Sequence, residues 1–145
     1  MRTKGFTLIE VLVTLAILAG IAGLGLFATM DMYRGSTLEE ERGLVVSLLT
    51  RARTHAMDNL YGLPHGFCIN GDEYEVFKGT YAADSVEEYA QASKAITASG
   101  IPACGSGNEI VFSQLSGTTT ERTITLSEGT QMYQIDVNGE GTILW

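Results

Sequence analysis

Few residues of this chain place an ionisable or reactive group where it could do chemistry, and Glu10 is the first of them. It is the only charged residue in the run from Phe6 to Met30, which is otherwise uncharged and mainly apolar. A carboxylate costs on the order of 2.5–3.5 kcal/mol at the centre of a bilayer and less near an interface. We therefore expect Glu10 to have a specific partner. The alternative is that it stays hydrated or protonated near an interface, without a partner.

The two histidines, His55 and His65, have no nucleophile at a spacing that indicates catalysis. Cys68 follows His65 by three residues, which is poor geometry for a nucleophile and its base across the start of a strand. The acidic residues within 72–75 lack the repeated oxygen spacing of a calcium loop, and we expect them to be solvated at a hairpin. The pattern predicts no catalytic residue, no metal site, no cofactor and no enzymatic activity.

The apolar run from Phe6 to Met30 is long enough to cross a bilayer as a helix, since about 20 residues suffice. Arg2 and Lys4 precede it, which predicts a cytoplasmic N-terminus and an extracytoplasmic remainder. An ordinary secretory signal is the main alternative, but its apolar region is only about 7–15 residues long and ends in a small-residue cleavage site. We therefore expect a single-pass anchor in the inner membrane.

Residues 4–10 read Lys-Gly-Phe-Thr-Leu-Ile-Glu and resemble the N-terminal signal of type IV pilins and type II secretion pseudopilins. In that family a prepilin peptidase cuts after the glycine and methylates the new N-terminal phenylalanine. The resemblance implies cleavage between Gly5 and Phe6 and N-methylation of Phe6. It also implies that Glu10 acts in filament assembly. Its carboxylate would pair with the α-amine of Phe6 on a neighbouring subunit, because an unpaired buried charge is costly.

The chain is acidic, with 17 acidic against 9 basic residues and a formal net charge of −8. Cleavage after Gly5 would also remove Arg2 and Lys4. Such a protein is repelled by phosphate backbones, and no cluster of lysines or arginines lies outside the apolar run. Nucleic acid is therefore an unfavourable partner.

Cys68 and Cys104 are the only cysteines, and both follow the predicted membrane segment. If that part of the chain is exported, an oxidising compartment favours a disulfide between them. The chain-entropy model gives such a bond on the order of 4 kcal/mol of stabilisation. The alternative is two buried free thiols.

Between residues 31 and 60 the apolar residues become periodic. Leu38, Val45, Leu49, Ala52 and Ala56 follow one another at spacings that place them on one helical face. We predict that the helix continues from the membrane segment and packs this face on a head domain. The Tyr-Gly-Leu-Pro sequence at residues 61–64 predicts its end.

Beyond Pro64 the apolar pattern has a period of two, which is typical of strands. The predicted strands are residues 67–69, 74–77, 109–115, 122–127, 131–138 and 142–145, the first two forming a hairpin. Between residues 80 and 100 we weigh two interpretations. Ser85 and Glu88 are spaced as in a capping box and indicate a short helix, with an irregular loop as the alternative. The glycine-rich residues 100–108 predict a loop.

The order of these elements is similar to that of the GspH and FimT minor pseudopilins. The predicted fold is therefore α+β, with a long N-terminal helix packed on a small antiparallel β-rich head. The predicted domains are a leader (1–5), a transmembrane or filament-core helix (6–30), an amphipathic helix (31–60) and a β-rich head (61–145).

The resemblance implies a minor pseudopilin, a structural subunit of a secretion pseudopilus or a type IV pilus-like filament. Its implied partners are other pilin-like subunits, a prepilin peptidase, and the assembly platform with its ATPase. The head would lie in the periplasm. Two alternatives are a FimT-like minor pilin that binds DNA in natural transformation and a membrane-anchored domain with its own binding or enzymatic activity.

Overall fold

The structure, a computed structural model, describes residues 5 and 7–145; for residues 24–35 it describes the backbone alone. The chain divides into two units, residues 1–36 and residues 37–145. The elements in chain order are α1 (Leu8–Met57), a 3₁₀ turn (Leu60–Gly62), β1 (His65–Asn70), β2 (Glu73–Lys78), β3 (Val86–Gln91), β4 (Thr97–Ser99), β5 (Ile110–Phe112), β6 (Arg122–Glu128), β7 (Gln131–Val137) and β8 (Ile143–Leu144). The predicted α+β fold is confirmed.

Helix α1 ends a few residues earlier than the sequence predicts. Its last residue is Met57, and the backbone of Asn59 then has a positive φ of 56°. This left-handed conformation is tolerated by asparagine and stops an α-helix. Tyr61 also has a positive φ, within the 3₁₀ turn that precedes Pro64.

The predicted apolar face of α1 is buried in the head. Leu38, Val45, Leu49, Ala52 and Ala56 have no exposed surface. They pack with apolar residues of both sheets, so that one core fills the space between the helix and the strands. The strand residues of this core are Phe67, Tyr74, Val76, Ile110, Phe112, Ile124, Leu126, Ile135, Val137 and Ile143.

The strands form two antiparallel sheets of four. The first has the order β3-β2-β1-β5 and contains the predicted β1–β2 hairpin, in which Phe67 lies opposite Val76. Gly66 is required in this sheet, because a Cβ atom there would lie 2.3 Å from Cζ of Phe77. The second sheet has the order β4-β6-β7-β8.

The interval between residues 80 and 100 contains strands β3 and β4, so the predicted short helix and the alternative irregular loop are both wrong. The Ser85 hydroxyl does not cap a helix. It accepts a hydrogen bond from the amide of Ala82 and donates one to the Ala82 carbonyl, which closes a turn. Strand β3 then pairs with the edge of β2, and β4 pairs with β6. Tertiary pairing decides the structure of this weakly patterned segment.

Residues 102–104 run beside the end of β1 within the predicted loop. The amide of Ile69 donates to the carbonyl of Pro102 at 3.0 Å, and the amide of Cys104 donates to the carbonyl of Ile69 at 2.9 Å. These hydrogen bonds bring Cys104 beside Cys68. The two cysteines form a disulfide bond that closes a separation of 36 residues, and the free-thiol alternative is not adopted.

Candidate functional site

Glu10 lies in the first turn of α1 and is exposed. Its amide donates to the hydroxyl of Thr7 at 3.4 Å, and the amide of Thr7 lies 3.5 Å from Oε2 of Glu10. This reciprocal arrangement is a capping box, which satisfies amides that have no partner inside the helix. Among the described residues no cation pairs with Glu10. Gly5 is exposed, while Phe6 and residues 1–4 lie outside the described residues.

The N-terminal part of α1 exposes nearly all of its large apolar side chains. Their exposed fractions lie between 47% and 81%. The residues concerned are Leu8, Ile9, Val11, Leu12, Val13, Leu15, Ile17, Leu18 and Ile21. They occur at successive positions around the helix, so the exposed apolar surface is not confined to one stripe. A surface of this kind is a site of association in soluble proteins or of contact with lipid.

Within the part of the chain that the structure describes, no helix has the length and apolarity needed to cross a bilayer. The predicted span at residues 6–30 includes Phe6 and the side chains of residues 24–30, which lie outside the described residues.

A buried carboxylate joins α1 to the hairpin. Glu41 is only 6% exposed, and its Oε1 accepts hydrogen bonds from the hydroxyl of Tyr74 at 2.8 Å and from the amide of Ser93 at 3.0 Å. Burial, and secondarily the hydrogen bond to Glu41, raises the pKa of Tyr74 above its usual value. Glu41 directly follows the exposed residues Glu39 and Glu40 in the sequence, and no local signal sets it apart from them.

The acidic residues of the β1–β2 hairpin do not form one cluster. Glu75 is 5% exposed and accepts hydrogen bonds from Tyr81 at 2.8 Å and from Asn70 at 3.0 Å. Asp72 instead faces Lys94, and Glu73 pairs with Gln91. The prediction that all three acids are solvated is therefore wrong for Glu75, whose strand position points into a covered face.

The two histidines, distant in the sequence, share one carboxylate. His55 Nδ1 lies 3.3 Å from Oε2 of Glu87, and His65 Nε2 lies 3.2 Å from the same oxygen. Lys78 Nζ lies 4.0 Å from the other oxygen, Oε1. His65 has no exposed surface, and burial lowers its pKa below the usual value although the carboxylate of Glu87 opposes this effect.

A β-bulge places Glu87 in this cluster. Glu88 pairs with Val76 and Val86 pairs with Phe77, so Glu87 is the extra residue on β3. Consecutive strand residues ordinarily point to opposite faces, whereas a bulge breaks this alternation. Both Glu87 and Glu88 consequently reach α1, where Glu87 contacts His55 and Glu88 pairs with Arg51.

The pairing of Cys68 with His65 that we considered and rejected from the sequence is also not found in the fold. Cys68 is bonded to Cys104 and offers no thiol. His65 instead contacts Glu87 and the ring of His55, with the two imidazole centroids 5.4 Å apart.

Two comparisons with known proteins find similarities, one in the N-terminal sequence and one in the fold. Residues 1–26 match the model of a family described as the prokaryotic N-terminal methylation motif. The structure is similar to that of the minor pseudopilin EpsH from the type 2 secretion system of Vibrio cholerae, with a TM-score of 0.50 and 15% identity. The match covers 72% of this chain and 91% of that one. No curated protein sequence matches the chain.

At this identity the likeness to EpsH shows the fold, and the motif identifies the N-terminal segment independently. The chain therefore carries an N-terminal methylation motif at residues 1–26 and shares the α+β fold of the minor pseudopilin EpsH.

Proposed function

We propose that this chain is a minor pseudopilin, a structural subunit that joins a short secretion pseudopilus or a type IV pilus-like filament through its N-terminal helix. The observation that carries the proposal is the match of residues 1–26 to the methylation motif, together with the exposure of the large apolar side chains that α1 carries within the same residues. A soluble monomer gains nothing from such a surface, whereas a membrane anchor that becomes a filament core requires it.

The energetic argument rests on the apolar residues between Leu8 and Ile21. Fully burying one large apolar side chain is worth about 1.5–3 kcal/mol, and nine such side chains are exposed here. Gly20 and Gly23 add open surface, since a Cβ atom at either would meet nothing within 4 Å. Small residues allow neighbouring helices to approach closely. The helix is therefore suited to contact lipid before assembly and to pack against similar helices after it.

In this proposal Glu10 sets the register of assembly. The capping box leaves its carboxylate exposed, so it can meet a partner that another subunit supplies. In an apolar bundle an unpaired carboxylate is costly. Cleavage after Gly5 creates an α-amine at Phe6, and pairing this amine with Glu10 of a neighbour relieves the cost. A wrong axial register leaves both charges unpaired.

The head would act as a folded structural module without catalysis of its own. We place it in the periplasm, and the Cys68–Cys104 disulfide supports an oxidising compartment. The proposed partners are a prepilin peptidase, other pilin-like subunits, and the inner-membrane platform with its ATPase.

The test of processing is co-expression of the full chain with a prepilin peptidase, followed by intact mass measurement and N-terminal sequencing. We expect loss of residues 1–5 and the mass of one added methyl group on Phe6. An uncut chain would contradict the proposal and leave an ordinary single-span anchor. A cut near Met30 would also contradict it, because it would release the head as a secreted protein.

The test of assembly is the substitution Glu10→Ala, with Glu40→Ala as a control for loss of an exposed acid elsewhere on α1. We expect Glu10→Ala to be inserted and processed but to be lost from filaments, as measured by cross-linking to other pilin-like subunits. The control should be incorporated like the unaltered chain. Normal incorporation of Glu10→Ala would contradict the proposed pairing.

A further inference from the structure

Three side chains from three different elements converge at one edge of the head. His55 comes from the last turn of α1, His65 from the start of β1 and Glu87 from the bulge of β3. One nitrogen of each imidazole and one carboxylate oxygen all lie within 4.8 Å of one another. Imidazole nitrogen and carboxylate oxygen are the donors that Zn²⁺ and its neighbours in the first transition row accept.

His65 is buried without a satisfied hydrogen bond. It has no exposed surface, and neither ring nitrogen makes a hydrogen bond of acceptable geometry within the described residues, although the backbone of Leu63 lies close enough to raise the pKa of the ring. Nε2 nevertheless lies 3.2 Å from Oε2 of Glu87, so it is aimed into the cluster. Buried polar side-chain atoms nearly always have a partner, and one left over calls for an explanation such as an ion.

Two of the three separations between the ligand atoms fit a shared metal ion, and the third, between the two nitrogens, is no more than 4.8 Å. Zn²⁺ binds nitrogen and oxygen at 2.0–2.2 Å in tetrahedral geometry, which separates neighbouring ligand atoms by about 3.3 Å. Oε2 of Glu87 lies 3.3 Å from Nδ1 of His55 and 3.2 Å from Nε2 of His65. Both separations match those expected around one tetrahedral ion.

We propose that His55, His65 and Glu87 bind one divalent transition-metal ion, with Zn²⁺ as the best fit and water completing the fourth position. The ion joins the end of α1 to β1 and β3, three elements that are far apart in the sequence. Its role is structural: it stabilises the folded head by mass action and satisfies the buried ring of His65.

The positive charge of Lys78 opposes metal binding at this site. Its Nζ lies 4.0 Å from Oε1 of Glu87 and 4.4 Å from the ring centroid of Tyr61. The metal uses Oε2, which leaves Oε1 to Lys78, but the ammonium still repels a divalent cation nearby. The substitution Lys78→Met should therefore tighten metal binding.

An ion can reach the cluster from solvent. The side chains of His55 and Glu87 are 29% and 13% exposed, whereas that of His65 is fully covered. His55 also borders a surface cavity of about 470 Å³ together with Thr50, Arg51 and Thr54. The outer two ligands would accept the ion first, and His65 would then complete its coordination.

The experiment uses the full chain in detergent micelles, purified without a polyhistidine tag and treated with a chelator. Zn²⁺ alone is added, and the bound metal is measured by equilibrium dialysis with elemental analysis. The test variants are His55→Gln and Glu87→Gln, whose side chains are partly exposed. Glu88→Gln is the matched control, because it removes one carboxylate from the adjacent position of the same strand.

We expect one Zn²⁺ per chain, a higher melting temperature with zinc, and retained binding in Glu88→Gln. Each test variant should weaken binding by more than the roughly 10–100-fold that the loss of an outer-shell partner costs. Co²⁺ in the unaltered chain should give the intense visible absorption of a four-coordinate site, which is a readout that needs no variant.

Absence of saturable Zn²⁺ binding would overturn the proposal, as would equal binding by the unaltered chain and both test variants. The pale spectrum of six-coordinate Co²⁺ would overturn it as well. Any of these results would leave His55, Glu87 and His65 as a polar network that holds the ends of three elements together.

Discussion

Helix α1 contributes to both units of the chain, and its apolar side chains differ sharply between them. Between Leu8 and Ile21 the large apolar side chains are 47–81% exposed, whereas Leu38, Val45 and Leu49 are fully buried. Leucine and valine side chains occur in both stretches, and what differs is their exposure to solvent. The second stretch packs against two sheets, and the side chains of the first are exposed.

This difference separates two uses of the hydrophobic effect. Each Å² of apolar surface removed from water is worth roughly 25 cal/mol, regardless of which molecule covers it. In residues 37–145 that energy stabilises the fold. In residues 8–21 it remains available for lipid or for other subunits. Substitutions in the two stretches should therefore affect different measurements, stability in one and association in the other.

A large effect on the stability of the head is expected from loss of the disulfide. Replacing both Cys68 and Cys104 with serine removes a link across 36 residues, and the chain-entropy model predicts a loss of about 4 kcal/mol in the free energy of unfolding. Denaturant titration of the full chain in detergent, followed by near-ultraviolet circular dichroism, measures it. Reduction of the unaltered chain should give a similar loss, and a change below about 1 kcal/mol would contradict the prediction.

A matched pair of substitutions in α1 tests the comparison directly. Leu49→Ala opens a cavity in the core and should lower the free energy of unfolding by about 2–5 kcal/mol. Leu15→Ala, at a side chain that is 60% exposed, should change it by less than about 0.5 kcal/mol. The same titration measures both. Equal losses would show that residues 8–21 take part in the fold of the head.

The buried contact between Tyr74 and Glu41 should have a smaller effect. Tyr74→Phe removes one hydrogen bond to the carboxylate, while the amide of Ser93 still donates to it. A hydrogen bond to a charged group is worth about 1.5–3 kcal/mol, so we expect a loss in that range. Tyr89→Phe is the control, because Tyr89 is 67% exposed and its replacement should be nearly neutral. Equal free energies of unfolding for Tyr74→Phe and Tyr89→Phe would contradict the stabilising role of the hydrogen bond between Tyr74 and Glu41.

The smallest effect concerns alkaline pH. Because the pKa of Tyr74 is raised in the folded state, the unfolded chain loses this proton first as the pH passes about 10. The unfolded state then binds fewer protons, so stability falls as the pH rises further. Tyr74→Phe should show a shallower fall than the unaltered chain in titrations repeated above pH 10, whereas Tyr89→Phe should not. An equally steep fall of stability with pH in the unaltered chain, Tyr74→Phe and Tyr89→Phe would contradict the prediction.

Much of the fold could be predicted from local pattern. The spacing of apolar residues identified the buried face of α1, because helical periodicity depends only on near neighbours. The β1–β2 hairpin was predicted for the same reason, since Gly71 and Asp72 form a two-residue turn between alternating residues. Strands β3 and β4 were missed because their pairing partners, β2 and β6, stabilise a segment that has little pattern of its own.

The polar clusters could not be predicted in the same way. Glu41 and Glu75 look like surface acids in the sequence, and only the elements packed over them make them buried. Glu87 contacts the two histidines because a bulge in β3 places it there. No residue type in the sequence indicates this bulge. Glu41 contacts Tyr74, and Glu87 contacts both histidines, across more than 20 positions, so the local sequence pattern does not show these contacts.

The sequence by itself determined the features that depend on residue order over short distances. These are the methylation motif around Gly5 and Phe6, the isolated acid at Glu10, the long apolar run and the amphipathic face that follows it. Only the tertiary structure decided the pairing of the cysteines, the burial of Glu41 and the meeting of His55, His65 and Glu87. The physical reason is that burial and polar contacts between distant residues depend on strand order, register and bulges, which are set by the packing of the whole head.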